Sequence, residues 1–130
     1  PVVVGGFTDV VTMAQGRNFP TGDLRQVEVG VACVVRAASG AREVWCWGVS
    51  NGLGPGATAS VTTPERIEDA LGTPLTGVQR VATGGEHACA VVDDGTSFEV
   101  ECWGSNDVGQ LGRGTMTALE AEPAPVVGLP

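Results

Sequence analysis

The stretch Cys89-Ala90-Val91-Val92-Asp93-Asp94-Gly95-Thr96-Ser97-Phe98-Glu99-Val100-Glu101-Cys102-Trp103-Gly104-Ser105-Asn106-Asp107-Val108-Gly109-Gln110-Leu111-Gly112-Arg113-Gly114 decides the architecture. Two short apolar runs flank a polar tip at Asp94-Gly95, a pair that accepts the positive φ angles of a tight reversal. The stretch therefore predicts a β-hairpin. Folding its arms together brings Cys89 opposite Cys102, where Cβ atoms come close enough for a disulfide.

The design recurs earlier in the chain. Cys33 and Cys46 have the same spacing as Cys89 and Cys102, and Trp47-Gly48 follows Cys46 as Trp103-Gly104 follows Cys102. Upstream, Pro20, Val27 and Gly30 match Pro74, Val81 and Gly84. Downstream, Leu53-Gly54 and Gly56 match Leu111-Gly112 and Gly114, and Pro64 and Ile67 match Pro123 and Val126. The chain reads as two tandem repeats, divided into residues 1–63, 64–122 and 123–130, the last being the start of a further repeat. A single small sheet cannot bury its own faces, so such units gain stability by stacking on neighbours.

Seven arginines and no lysine stand against fifteen acidic residues in 130, a net charge of −8. With no basic run, that field opposes a polyanion, and nucleic acid is not an expected partner. Four cysteines in two matched pairs point to an oxidising compartment, hence a secreted or cell-surface protein. Free buried thiols and a four-cysteine zinc site are the competing readings; the zinc reading lacks the short C-x-x-C knuckles that such sites use. No apolar run is long enough to span a membrane as a helix. The ends share one Pro-x-x-Val phase, which suggests a processed product or a fragment.

Along the chain, Pro1 to Gly6 and Leu24 to Val29 read as strands, the latter ended by Gly30, while Gln15 to Asn18 reads as a break. Val31 to Arg36 and Glu43 to Trp47 are the arms of the first hairpin. Gly52 to Thr63 reads as an exposed loop. Thr63-Pro64 offers a helix start, yet the counterpart Pro123 to Leu129 has a strand pattern, so a strand is expected over a helical turn. Val126-Val127, in a repeat that the chain does not complete, is expected to be an orphan strand that pairs with another molecule.

Side chains alternate along a strand, which places Trp45 and Trp47 on the face opposite Cys46, and Trp103 opposite Cys102. His87, the lone histidine, has no evident nucleophile beside it, and Asp93-Asp94 suits a turn better than a metal. No catalytic residue, metal or cofactor is expected. Trp47 and Trp103 recur at one repeat position, as packing residues do. Trp45 has Glu101 as its counterpart, which makes it the better candidate for contact with a partner.

Gly84-Gly85-Glu86-His87-Ala88-Cys89-Ala90-Val91, Asp94-Gly95, Cys102-Trp103-Gly104-Ser105-Asn106 and Gly109-Gln110-Leu111-Gly112-Arg113-Gly114 together resemble the regulator of chromosome condensation repeat. The first repeat is a degraded copy, lacking the histidine. The resemblance implies an all-β fold of two four-stranded antiparallel β-propeller blades within a larger propeller or assembly. The cysteine-paired form looks like a secreted bacterial branch. His87 falls where the motif places a histidine that bonds backbone between strands, and Trp47, Gly48, Trp103, Gly104, Asn106, Gly109, Gln110, Leu111 and Gly112 fall on its structural positions. No activity of the family carries over by residue, and fold alone does not settle function. The expected role is a non-enzymatic module binding a partner protein through propeller loops. The alternative is a structural subunit that self-assembles into a ring or filament through open blade edges.

Overall fold

The computed structural model describes residues 9–18, 28–38, 40–48 and 61–129. They form two four-stranded antiparallel sheets. The first runs β1 (Val10–Asn18), β2 (Glu28–Ala38), β3 (Ala41–Gly48), β4 (Val61–Arg66); the second runs β5 (Val78–Thr83), β6 (His87–Asp93), β7 (Phe98–Asn106), β8 (Thr117–Pro125). In each the strands lie in chain order, which marks a meander.

The hairpin reading holds in detail. β2 pairs with β3 so that Cys33 faces Cys46, and β6 with β7 so that Cys89 faces Cys102. The sulfur atoms lie 2.09 and 2.13 Å apart. At the second tip Gly95 takes φ +91°, while the Asp94 Oδ1 accepts the backbone N–H groups of Thr96 (2.7 Å) and Ser97 (2.8 Å). The Thr96 hydroxyl, these two N–H groups and the Ser97 hydroxyl hold the Asp94 carboxyl down at about 2. Both Trp-Gly steps share a conformation that a side chain would strain: Gly48 and Gly104 each have φ +115°.

Two sequence expectations change and one holds. First, the opening strand of the first sheet is Val10–Asn18, running through the expected break at Gln15 to Asn18, while Glu28 and Val29 already belong to β2. Ala14 pairs with Cys33 as Ala82 pairs with Cys89, so Gly16, not Gly30, is the counterpart of Gly84. Second, Pro64 to Arg66 lies in β4 and closes the first sheet, with Cys46 opposite Glu65; the strand expectation holds over the helical turn. Third, Pro123 to Pro125 is not an orphan. It lies in β8 with Cys102 opposite Ala124, and the Val126 N–H donates to the Val100 carbonyl at 2.8 Å. The repeats are therefore phased one strand later than the sequence suggests. Proline lacks the N–H that an inner strand must donate, and Pro64, Pro123 and Pro125 all fall on outer strands. The segments Pro1 to Gly6, Leu24 to Val27 and Val49 to Gly56 lie outside the described residues.

The two sheets share one core. Val31, Cys33, Val35, Val44 and Cys46 of the first face Ala88, Ala90, Val92 and Trp103 of the second, with Ile67 and Val78 closing the seam. Burying each such valine contributes about 1.5–3 kcal/mol relative to leaving it in water. Chain passage between sheets is compact: the Ile67 N–H donates to the Val44 carbonyl (3.0 Å) and the Leu75 N–H to the Ile67 carbonyl (3.0 Å). Between them Asp69 Oδ1 accepts from the N–H groups of Leu71 (2.8 Å) and Thr73 (2.9 Å), and the Thr73 bond leads in holding that carboxyl below its usual range. At the inner end of the seam β1 approaches β5 so closely that a Cβ on Gly16 would run into the Gly84 carbonyl.

Candidate protein-interaction surface

The connection from β7 to β8 carries most of the motif residues, and its order comes from one buried amide. Asn106 is fully buried. Its Oδ1 accepts the Leu111 N–H at 3.1 Å, and its Nδ2 donates to the Thr115 carbonyl (3.1 Å) and to Glu120 Oε1 (2.8 Å). A single side chain thereby ties the end of β7, the middle of the loop and the start of β8. Asn is suited to this because one end only accepts and the other only donates.

Charge reinforces the tie. Glu120 also receives the hydroxyls of Thr117 (2.6 Å) and Thr115 (2.7 Å) and pairs with Arg113 Nη1 at 2.6 Å. These donors, Thr117 first, hold the Glu120 carboxyl down at about 2. Arg113 Nη2 reaches the carbonyls of Cys102 and Glu122 (2.6 Å for Glu122). The pairing of β7 with β8 slips between Cys102 and Gly104, and Arg113 sits at the bulge that the slip creates. At the loop apex the Gln110 amide donates to Asp107 Oδ1 (3.0 Å) while its Oε1 accepts the Val108 N–H (3.0 Å). Leu111 is fully buried beneath, and the Gly109 and Gly112 N–H groups close successive turns.

This scaffold displays two large apolar side chains beside the exposed Asp107 and Thr115. Val108 is 75% exposed and Met116 is 76% exposed, and a Cβ added at Gly109 would touch Met116 Cγ. Asn106, Gly109, Gln110, Leu111 and Gly112 thus come together with Thr115, Arg113 and Glu120. The last three carry no repeat signal in the sequence, although Arg113 and Glu120 are of opposite charge within reach across a hairpin.

The other singled-out residues lie elsewhere. Trp103 is fully buried in the core between the sheets, whereas Trp47 is half-buried on the first sheet. Trp45 is half-buried on the same face, its Nε1 donating to Glu43 Oε2 (3.3 Å) and its ring 5.7 Å from the Arg36 guanidinium. His87 packs its imidazole against Gly84, whose N–H donates to the His87 carbonyl at 2.8 Å. Glu101, the counterpart of Trp45, is half-buried, and burial, then the neighbouring Glu99, pushes its carboxyl up. Among the described residues no three His, Cys, Asp or Glu side chains converge to hold a metal ion, and no helix is long and apolar enough to cross a membrane.

Residues 78–110 match the regulator of chromosome condensation (RCC1) repeat. The chain carries RCC1 repeat sequence, and its two sheets are RCC1-type propeller blades. It is similar to the human E3 ubiquitin-protein ligase HERC2, with 39% identity over 88 residues covering 66% of this chain and 2% of that protein. It is similar to the RCC2 homolog of Danio rerio, with 32% identity over 109 residues, 76% of this chain and 21% of that protein. It is also similar to the guanine nucleotide exchange factor SRM1 of Saccharomyces cerevisiae, with 34% identity over 82 residues, 60% of this chain and 16% of that protein. The chain thus spans between 2% and 21% of the length of these relatives. The two disulfide-distance cysteine pairs are compatible with an extracytoplasmic protein.

Proposed function

We propose that the chain is a non-enzymatic protein-interaction module of a secreted or cell-surface protein, and that it grips its partner with the β7–β8 loop. The observation that carries this reading is the pairing of an apolar surface, Val108 with Met116, with a backbone already fixed by Asn106, Glu120 and Arg113. A loop ordered before binding loses little entropy on contact, so its apolar area converts to affinity efficiently. The relatives support it from another side: their names state a ligase and an exchange factor, so the shared repeat goes with differing activities. Trp45 is proposed as an additional contact, on the first blade.

The test uses Val108→Ser with Met116→Ser, both at exposed positions. Proteins cross-linked to the parent chain in its native extracellular fluid are expected to be lost from the double variant, while its thermal unfolding stays unchanged. Recovery of the same proteins at the same yield would overturn the loop as the contact.

The second reading is self-assembly, which proline disfavours at two of the four sheet edges, those of β4 and β8. An edge strand recruits another chain through free N–H groups. Pro64 in β4 and Pro123 and Pro125 in β8 remove donors from those edges. What supports this reading is the exposure of Met13 and Phe98 on the blade faces.

A further inference from the structure

Arg36 lies 3.3 Å from Asp9, Arg66 2.7 Å from Glu68 and Arg113 2.6 Å from Glu120, so a guanidinium of this chain ordinarily finds a carboxylate. Arg42 does not. It is half-buried, and its Nη1 donates to the amide oxygen of Gln79, 2.8 Å away across the junction of the blades. Among the described residues no carboxylate pairs with it, in a chain that has fifteen acidic residues. A guanidinium drawn out of water is stabilised most by an ionised acceptor, which gives hydrogen bonds about twice as strong as a neutral one. A neutral amide holds one side of this cation, and the other side has no described anion.

The Gln79 amide is itself fixed. Its Nε2 donates to the Gly77 carbonyl at 3.1 Å, and that carbonyl also accepts the Asp93 N–H at 2.9 Å. Gly77 takes φ +75° and lies so near that a Cβ there would run into the Asp93 carbonyl. Arg42 on the first blade is therefore aimed by a main-chain crossing on the second. Beside it opens a cleft of about 350 Å³, lined by Thr76, Asp93 and the hairpin-tip glycines Gly40 and Gly95. A Cβ at either tip glycine would meet nothing within 4 Å, so the rim is bare main chain that another backbone can approach. Both tips lie at the strand ends away from the β7–β8 loop.

The charges of the cleft select its occupant. Asp93 lines it from the second blade, its Oδ1 accepting the Gly95 N–H at 2.9 Å. One cation and one anion thus meet there, one from each blade. A free anion would be repelled by Asp93 and by the net charge of −8. A neutral ligand would leave the guanidinium without its anion. An acidic residue within an extended protein segment answers both groups, since it carries a carboxylate for Arg42 and main-chain N–H groups for Asp93. The arrangement is particular to this junction: by register the counterpart of Arg42 is Phe98, and that of Gln79 is Val11.

We propose that the cleft between the two hairpin tips binds an extended segment of a partner protein through an acidic side chain. The carboxylate pairs with the Arg42 guanidinium on the side that Gln79 does not occupy, and a main-chain N–H of the segment donates to the Asp93 carboxylate. Gln79 acts through Arg42 as a positioning residue. A guanidinium aimed before contact gives up little freedom on binding. The site goes beyond the loop reading and uses neither Val108 nor Met116, so its failure and that of the loop reading are distinguishable.

Amide NMR spectra of the nitrogen-15-labelled chain test it. The probe is a blocked peptide of glycines around one glutamate, with the glutamine form of the same peptide and sodium acetate as controls. The glutamate peptide is expected to shift the Gly40, Gly77 and Gly95 amides and the Gln79 side-chain amide, saturating in the millimolar range. The glutamine peptide and acetate should each bind at least about tenfold more weakly, the worth of one charge-assisted hydrogen bond. Arg42→Gln should lose the shifts, and Arg42→Lys should keep part of them because an ammonium retains the charge without the planar fork. The same spectra report folding; should Arg42→Gln not fold, Asp93→Asn takes its place, since it keeps an acceptor for Gly95, removes the repulsion and should let acetate shift the same amides. A glutamate peptide that leaves these amides in place, a glutamine peptide or acetate that matches it on the parent chain, an Arg42→Gln chain that binds like the parent, or an Asp93→Asn chain that still excludes acetate would each overturn the proposal.

Discussion

Asn106 provides the sharpest energetic test because its hydrogen bonds differ in what they lose on substitution. In Asn106→Ala the Leu111 N–H and the Thr115 carbonyl lose their partner beside a fully buried site, and Glu120 loses one donor of several. Each hydrogen bond contributes about 1 kcal/mol net, and stranding a buried polar group costs about 1–3 kcal/mol, so the variant should lose about 2–4 kcal/mol. Asn106→Asp keeps the shape and the acceptor for Leu111 but turns the donor into a carboxylate oxygen, 2.8 Å from a Glu120 oxygen that is itself ionised down to a pH of about 2. Two carboxylates at that distance cannot both stay charged without cost. At pH 7 Asn106→Asp should therefore unfold more easily than Asn106→Ala, and the order should reverse in acid as one carboxyl protonates. Urea titrations followed by Trp103 fluorescence suffice, since 2–4 kcal/mol moves the midpoint by about 1–3 M at ordinary slopes. If Asn106→Asp matches or exceeds the alanine variant at pH 7, the Nδ2 contact with Glu120 does not exist and the loop is fixed by other means.

Other perturbations probe the frame around that loop. Gly16→Ala should destabilise the chain by about 1–3 kcal/mol through overpacking against the Gly84 backbone, read as a drop in Tm, whereas Gly40→Ala meets no neighbour and tests only its φ of +82°. Replacing Cys89 and Cys102 together by alanine should cost about 3 kcal/mol from loop closure. The same change at Cys33 and Cys46 should cost more because it also empties space in the core, and mass spectrometry under a reductant should show the second pair, in which Cys89 is half-buried and Cys102 buried, opening before the first, in which both cysteines are fully buried. Acid should destabilise the parent between about pH 4.5 and 2: Glu120 and Asp94 have folded-state values near 2, below their ordinary 4.5 and 3.8, so their contribution is complete above that window and disappears as pH falls through it. Glu120→Gln should flatten that part of the curve. Glu101 has the opposite sign, its carboxyl pushed up by burial, so Glu101→Gln should raise stability at pH 7 and lose its advantage in acid.

The hairpins, the cross-strand cysteines and the buried Trp103 were legible in the sequence because each follows from local rules: turn chemistry, alternation and equal spacing. β1 was not. Matching Gly30 to Gly84 kept a steady offset with the hairpins, but Ala14-Gln15-Gly16 repeats Ala82-Thr83-Gly84 and is the stretch that pairs with β2. The residues between 18 and 28 separate that strand from its partner, and an insertion there shifts phase without altering any local pattern. The loop network was illegible for a different reason. Arg113 and Glu120 act through the bulge between Cys102 and Gly104, and a bulge changes which carbonyls are free only once the sheet is formed.

The terminal segment shows most clearly what a repeat match does and does not establish. Pro123 and Val126 were matched correctly to Pro64 and Ile67: Glu65 stands opposite Cys46 as Ala124 stands opposite Cys102, and Ile67 and Val126 make the same backbone bond. Equivalence between two segments does not name the sheet that either one joins, and each of these closes the blade it follows. Because both outer strands are filled from within the chain, the backbone donors that an orphan strand would expose are already used or replaced by proline. Strand addition is thereby disfavoured at β4 and β8, two of the four edges that the described sheets present.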